Sequence, residues 1–190
     1  FVNRGSAGYF VTEYTAANVR GLSPRAETAL TPTERVGFLG DEWRMVRSAR
    51  HDIGLFLDLA GELADDTTPG GVDSVTSGVA FTAEELAAAA ARPGIATWIR
   101  QKFGPALEQS GVPKRDDDEQ KQSRWAALAE LVGIPGEDRQ FQVKSRELAS
   151  RLMIEPASLP STIAAAVLHV AAYGGDGVLY DQYVNRLKAL

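Results

Sequence analysis

Apolar residues recur every three or four positions along most of this chain, and its beginning is the exception. In "FVNRGSAGYFVTEY", Phe1 and Val2 are apolar and extended in character, Arg4 to Gly8 is rich in turn formers, and Tyr9 to Tyr14 is aromatic and β-branched. That order predicts a β-hairpin within residues 1–21. An isolated hairpin has one face with nothing to bury against, so this one must lean on another element.

After Gly21 the spacing becomes helical. In "LTPTERVGFLGDEWRMVRSAR", Thr31 is placed as an N-cap, Pro32 at the first helical position and Glu34 three residues after the cap, the pattern of a capping box. Val36, Leu39, Trp43 and Val46 then share a stripe, with Glu34, Arg35, Asp41, Glu42, Arg44 and Arg47 mostly off it. A break near Arg50 to Asp52 precedes a second helix carrying Ile53, Phe56, Ala60 and Leu63, and "DDTTPGG" at 65–71 reads as a loop. The stretch up to Pro93 and Gly94 has two readings: a helix capped by Thr82 with Glu85, or one longer helix starting near Gly71, stopped by Pro93 and Gly94 in either case. Ile95, Trp98, Ile99 and Phe103 mark a further helix to about Gln109, and Trp125, Leu128, Ala129 and Val132 another. Three more are predicted over Glu137–Met153, Ser158–Tyr173 and Asp176–Leu190, the last capped by Asp176. About seven helices in hairpin-like succession predict a mostly α fold, an α-solenoid-like stack of antiparallel helices after a short hairpin. No fixed repeat period is visible.

Composition narrows the class without changing this picture. Over 190 residues, 44% are hydrophobic and 24% charged, enough apolar side chain for a real core. The net charge is −5 with basic residues dispersed among acidic ones, which leaves no electrostatic footprint for nucleic acid. The most apolar stretch, Ile163 to Tyr173, falls short of the roughly 18 residues of a membrane span and contains His169, so it is expected to be a core helix. Without cysteine the chain offers no disulfide, thiolate metal site or cysteine nucleophile.

Candidate chemistry is sparse. Asp116, Asp117, Asp118 and Glu119 invite a metal, but consecutive carboxylates diverge around a helical turn, and their place before an amphipathic run favours a helix N-terminus. Glu84 with Glu85 and Glu137 with Asp138 splay apart in the same way and read as first-turn acids. His51 is expected as a capping or surface residue at a helix junction, and His169 as a core or groove-facing residue. Neither has a second histidine at helical spacing, so a hydrolase built on them lacks support. The chain has no HExxH, no GxSxG and no glycine loop cradling phosphate.

Two segments carry a resemblance. "VNRGSAGYFVTEY" is similar to the strand pair ending the small β-sandwich domain of zinc aminopeptidases of the aminopeptidase N family (gluzincins), with Asn3, Gly8, Tyr9, Phe10 and Tyr14 on its pattern. Val11 stands where that family usually has arginine. "LTPTERVGFLGDEWRMVRSAR" resembles the first helix of the family's C-terminal helical domain through Leu30, Pro32, Glu34, Arg35, Leu39 and Asp41. "DDDEQKQSRW" and "YGGDGVLYDQYVNRL" extend the likeness towards the end, and Asp65 to Glu85 departs from it by being rich in Gly and Thr.

The resemblance implies a fragment of a larger enzyme: residues 1–21 as terminal strands of a truncated β-sandwich domain and 22–190 as the C-terminal helical domain. Zinc and the glutamate base would belong to an upstream catalytic domain, so no catalytic or metal residue is assigned here. The partners implied are the upstream catalytic and β-sandwich domains and a peptide substrate, with the helical domain closing over the catalytic one and bounding its cavity. Arg124 is the one substrate-binding candidate, since the family's mid-domain arginine helix lies towards the active site and a guanidinium suits a peptide carboxylate. The plainer reading of Arg124 is a surface arginine paired with Asp118 or a nearby acid. The alternative for the whole chain is a free-standing α-solenoid scaffold that binds a protein or peptide along its concave face.

Overall fold

The structure, a computed structural model, describes residues 1–68 and 70–188. It consists of two compact units, Phe1–Leu86 and Ala87–Leu190. Both are helical, and no β-strand forms among the described residues. The first unit contains α1 (Ala16–Leu22), α2 (Ala26–Ala29), α3 (Pro32–Arg47), α4 (Ile53–Glu62) and α5 (Gly71–Phe81). The second contains α6 (Arg92–Ser110), α7 (Glu119–Gly133), α8 (Arg139–Ile154), α9 (Ser161–Tyr173) and α10 (Gly177–Lys188). Stacking of successive helices is the solenoid-like arrangement that the spacing predicts.

The hairpin is replaced by an irregular strap, residues 1–15. The turn within it is real, but a side chain closes it: Asn3 Nδ2 donates to the Gly8 carbonyl at 3.0 Å, and Gly8 N donates back to Asn3 Oδ1 at 2.9 Å. The exposed Phe10 ring folds back over Gly8, 2.1 Å from where a Cβ would stand, so a side chain at this position would displace that ring. The strap then finds its acceptors on a helix instead of a strand. Gly5 N donates to Glu34 Oε1 at 2.6 Å and Thr12 N to Asp41 Oδ2 at 3.0 Å, both on α3. Val2 N donates to the Tyr14 hydroxyl at 3.1 Å, and the Tyr14 ring stacks on Phe1 and meets Phe38 edge-on at 5.3 Å. Aromatic and β-branched composition indicates a surface suited to packing, and here the surface supplied is helical.

That arrangement also corrects the polar face expected of α3. Its capping box forms as predicted, with Glu34 N on Thr31 Oγ1 and Thr31 N on Glu34 Oε2. Glu34, Asp41 and Glu42, expected off the apolar stripe, are nevertheless buried. A buried carboxylate is tolerated when its oxygens are filled, and these three accept from the strap, from Arg44 and from His51. Phe38 and Leu39 lie beside them in the core with Phe56, Leu59, Val75 and Val79. The Phe56 ring sits over Gly78 of α5, 2.5 Å from where a Cβ would be, and against Trp43 at 4.7 Å.

Arg35 joins the start of α3 to the loop after α4. Its Nε and Nη2 reach Asp66 Oδ2 and Oδ1 at 2.7 and 3.1 Å, Nη2 also reaches Thr68 Oγ1 at 2.8 Å, and Nη1 donates to the Leu30 carbonyl at 3.0 Å. Asp66 accepts in addition from Thr68 N and Oγ1. Residues 65–68 are thus non-helical, as their composition predicts, but organised around an ion pair in which Asp66 is buried.

Of the two readings left open after that loop, the longer helix is found. α5 begins at Gly71 and passes at Phe81 into one π-helical turn, Thr82–Leu86. Thr82 is no N-cap: its hydroxyl donates back to the Gly78 carbonyl at 2.8 Å. The alanines at 87–91 are not helical despite their propensity, and Pro93 opens α6 in its first turn instead of ending the helix before it.

In the second unit α9 packs against both α7 and α8, and α6 against α7. Phe103, Ile99, Trp125, Leu128, Leu131, Ile163, Val167 and Val170 fill the interior. Gly133, last in α7, lets the Val170 side chain of α9 come within 2.5 Å of where a Cβ would stand. Asp118, Asp138 and Asp176 cap α7, α8 and α10 by accepting from Lys121 N, Phe141 N and Leu179 N. α10 is anchored by buried Leu179 and by the Tyr183 hydroxyl on the Leu168 carbonyl. Leu190, the expected end of this helix, lies outside the described residues.

Two outcomes test this packing. Burial by itself would raise the Asp66 pKa, but the hydrogen bonds from Arg35 and Thr68 more than offset it, so the carboxyl titrates below the ordinary value of 3.8. Its contribution is present above that value and is lost as pH falls through the folded one. Asp66→Asn leaves Arg35 without its counter-charge and should lower the urea unfolding free energy at neutral pH by about 3 kcal/mol, with the gap to wild type closing at low pH. A pH-independent gap would show that ionisation of Asp66 is not what holds the loop. Gly133→Ala should destabilise by about 1–3 kcal/mol through overpacking against Val170, since the helix-propensity gain of about 1 kcal/mol is smaller at a last-turn position. An unchanged melting temperature would mean that α7 and α9 are loosely packed there.

Candidate functional site

The second unit holds a cavity of about 180 Å³ among α6, α7 and α8. Two of its lining positions, Gly104 and Gly111, carry no side chain, and a Cβ at either would meet open space. Gly111 also ends α6, with φ of +56°, a conformation that L side chains rarely adopt. Leu107, Trp125, Val132 and Phe141 supply apolar lining, with Trp125 and Phe141 meeting edge-on at 6.0 Å. Glu108, Asp138, Gln140 and Lys144 supply polar lining. A concave apolar recess with a few polar groups is the usual form of a small binding site, and this one has room for a single side chain.

Arg124 lies on α7 immediately before Trp125 and is half-buried. Its Nη1 donates to Ser110 Oγ at 2.9 Å, and that hydroxyl donates in turn to the Ala106 carbonyl at 2.7 Å. The C-terminal turn of α6 therefore fixes one edge of the guanidinium, next to the Ser110–Gly111 end of the cavity. Asp118, offered as its ionic partner by the plainer reading, has Oδ1 engaged in capping α7.

The acidic run behaves as a helix start. Asp117 accepts from Lys121 Nζ and Lys114 N, both at 2.7 Å, and the Lys121 hydrogen bond is the largest influence holding its carboxyl below the ordinary aspartate range. Asp138 caps α8 and Glu137 precedes the cap with φ of +50°, so neither is the first-turn acid that the sequence predicts.

Both histidines differ from expectation. The His51 side chain is only 8% exposed, turned inward and not out to the surface: Nδ1 lies 2.9 Å from both oxygens of Glu42, and Nε2 faces Glu13 Oε1 at 3.9 Å. His169 is exposed on α9, not in the core, and pairs with Glu130 of α7 at 3.1 Å. Glu42 and Glu13 approach opposite nitrogens of the His51 ring, so the three cannot converge on one ion. Among the described residues no group of three or more such side chains is arranged to hold a metal, and the zinc implied by resemblance does not fit this chain's own residues. No described helix is long and apolar enough to cross a membrane.

Sequence reasoning missed the cluster of Glu13, Glu42, Arg50 and His51, which runs from buried Glu42 out to the exposed pair of Arg50 Nη2 and Glu13 Oε2 at 2.5 Å. It also missed the ion pair of Arg35 and Asp66. One signal was present: Glu34 and Asp41 are seven residues apart, hence on one face of α3, the spacing of a shared contact surface.

With this geometry in hand, comparison with known proteins is informative at one level. No curated protein gives a significant match. A family model described as "ERAP1-like C-terminal domain" matches residues 1–189. The chain therefore belongs to the ERAP1-like C-terminal domain family, as the C-terminal domain of an aminopeptidase N-family protein.

Proposed function

We propose that this chain is the non-catalytic helical domain that closes over the catalytic domain of a zinc aminopeptidase and bounds the chamber in which peptides lose their N-terminal residues. The observation that carries this reading is the family match over residues 1–189, which makes the chain a C-terminal domain. On this reading residues 1–21 lead out of a β-sandwich domain, and 22–190 form the closing domain. Zinc, the water it activates and the glutamate base reside upstream. This chain contributes walls and polar contacts, not proton transfer or metal ligation.

Arg124 is assigned to the distal end of the substrate. Its guanidinium is planar and permanently charged, and Ser110 holds one edge, which favours a fixed orientation over a sweeping side chain. A peptide α-carboxylate is the complementary group, since arginine and carboxylate can pair by parallel hydrogen bonds. The neighbouring recess, with Trp125 and Phe141 in its wall, suits an apolar side chain near that carboxylate.

The test uses the full-length polypeptide carrying this domain. Arg124→Ala should raise KM about tenfold for peptides with a free C-terminal carboxylate, the equivalent of one charge-assisted hydrogen bond of about 1.5 kcal/mol. Turnover of an aminoacyl amide, too short to reach Arg124, should not change. Equal KM values for peptide on both proteins would remove Arg124 from the substrate site. A zinc-supplied full-length protein that releases no N-terminal residue from any peptide would overturn the parent activity itself.

A further inference from the structure

We propose that Arg100 is a positioning residue for the recess among α6, α7 and α8: by clamping the strained turn from α7 to α8 it fixes where the α8 wall stands. The inference rests on the proposed role of that recess as a seat for an apolar side chain of the peptide. The turn, Ile134 to Asp138, is held in a conformation it would not adopt by itself. Glu137 has φ of +50°, and no other non-glycine residue among those described in the second unit has a positive φ. A left-handed backbone is uphill for a residue with a Cβ and persists only where its surroundings enforce it. Amides of the turn are spent on the end of α7: Gly136 N donates to the Leu131 carbonyl at 2.9 Å, and Asp138 N to that of Val132 at 3.2 Å. Gly136 is wedged between α7 and α6, where a Cβ would stand 2.4 Å from the Val132 oxygen and 3.0 Å from Ile99 Cγ2.

Arg100, next to Ile99 on α6, secures this arrangement. Its Nη1 donates to the Gly136 carbonyl, and its Nη2 donates at 3.0 Å to Thr97 Oγ1, one turn earlier on α6, which sets the direction of the guanidinium. A second tie crosses the same turn, from Gln142 Nε2 to the Gly133 carbonyl at 2.8 Å. Arginine on a turn carbonyl recurs in this unit: Arg115 donates to Ala157 at 2.8 Å between α8 and α9, and Arg146 to Gly174 at 2.5 Å between α9 and α10. Of these turns, only the one held by Arg100 leads into the recess. Asp138 caps α8, and Asp138, Gln140, Phe141 and Lys144 line the recess, with Phe141 edge-on to Trp125 of α7. Arg100 is not itself on that wall, so it acts through the start of α8. Relaxation of Glu137 to an ordinary φ would redirect the chain into Asp138 and move these four side chains together.

The test compares the full-length polypeptide with its Arg100→Ala, Glu137→Gly and doubly substituted variants. Two peptides with a free C-terminal carboxylate serve as substrates, identical except for Leu or Gly at the last position. Wild type should favour the leucine peptide roughly tenfold in KM, the value of burying such a side chain. Arg100→Ala should shrink that ratio about threefold or more, within the range by which residues away from a ligand modulate its binding. Amide exchange over residues 134–141, followed by mass spectrometry, should quicken about fivefold, the equivalent of one hydrogen bond. Glycine adopts φ of +50° without strain, so Glu137→Gly should keep the wild-type ratio and, combined with Arg100→Ala, restore it. Loss of folded protein would lower the rate for both peptides and leave the ratio unchanged. The inference is overturned if Arg100→Ala keeps the wild-type ratio, if exchange over 134–141 is unaltered, or if the double variant behaves as Arg100→Ala does. A wild-type protein indifferent to leucine against glycine overturns the recess as a substrate seat and the role of Arg100 with it, so the two failures are told apart.

Discussion

Carboxylates on the inner side of α3 are the constraint around which the first unit is organised. A helix of this kind would ordinarily turn Glu34, Asp41 and Glu42 to water, because burying an uncompensated charge costs far more than a single apolar contact returns. Here each has its oxygens filled by nearby donors: backbone N–H groups of the strap, the Arg44 guanidinium of α3 itself and the imidazole of His51. The strap and α3 are consequently interdependent. Without the strap, Glu34 and Asp41 lose donors; without the acids, Gly5 N and Thr12 N lose acceptors. The same principle recurs at the far end of the helix pair, where Arg35 and Asp66 satisfy each other and tie down a loop that would otherwise have little reason to be ordered.

The second unit is held differently. Its helices meet through small residues and glycines that admit large neighbours, as Val170 over Gly133 illustrates, and its charged groups are spent at helix starts. Ion pairs there lie at the surface, so dispersion and apolar burial dominate its cohesion. Two glycines, Gly104 and Gly111, border its recess.

How far the sequence could be read follows from this contrast. The start of α3 was legible because a capping box is local: Thr31 and Glu34 are three residues apart and their chemistry is complete within one turn. The cap at Asp176 was legible for the same reason, and the acidic run at 116–119 marked the start of α7 without singling out Asp118 as its cap. The hairpin was misread because strand propensity describes a fit to some packed surface without saying which, and the acceptors for Gly5 and Thr12 each lie 29 residues away. Burial of Asp66 and His51 was likewise invisible, since their partners are not at helical spacing within one element. The recess is lined from α6, α7 and α8 together, which no periodicity reports. Arg124 could be singled out only through family resemblance; its tether at Ser110 is a structural fact that the sequence does not announce.

The strap's hold on α3 runs largely through main-chain N–H groups, which every residue except proline possesses. Its grip is therefore indifferent to most of its own side chains. Tyr9, Phe10 and Val11 are exposed and could be exchanged for other residues without disturbing the bonds to Glu34 and Asp41, whereas Asn3 and Tyr14 hold the strap through their own side chains. Such a division lets the outer surface of the segment diversify to suit whatever lies against it while its anchorage stays the same.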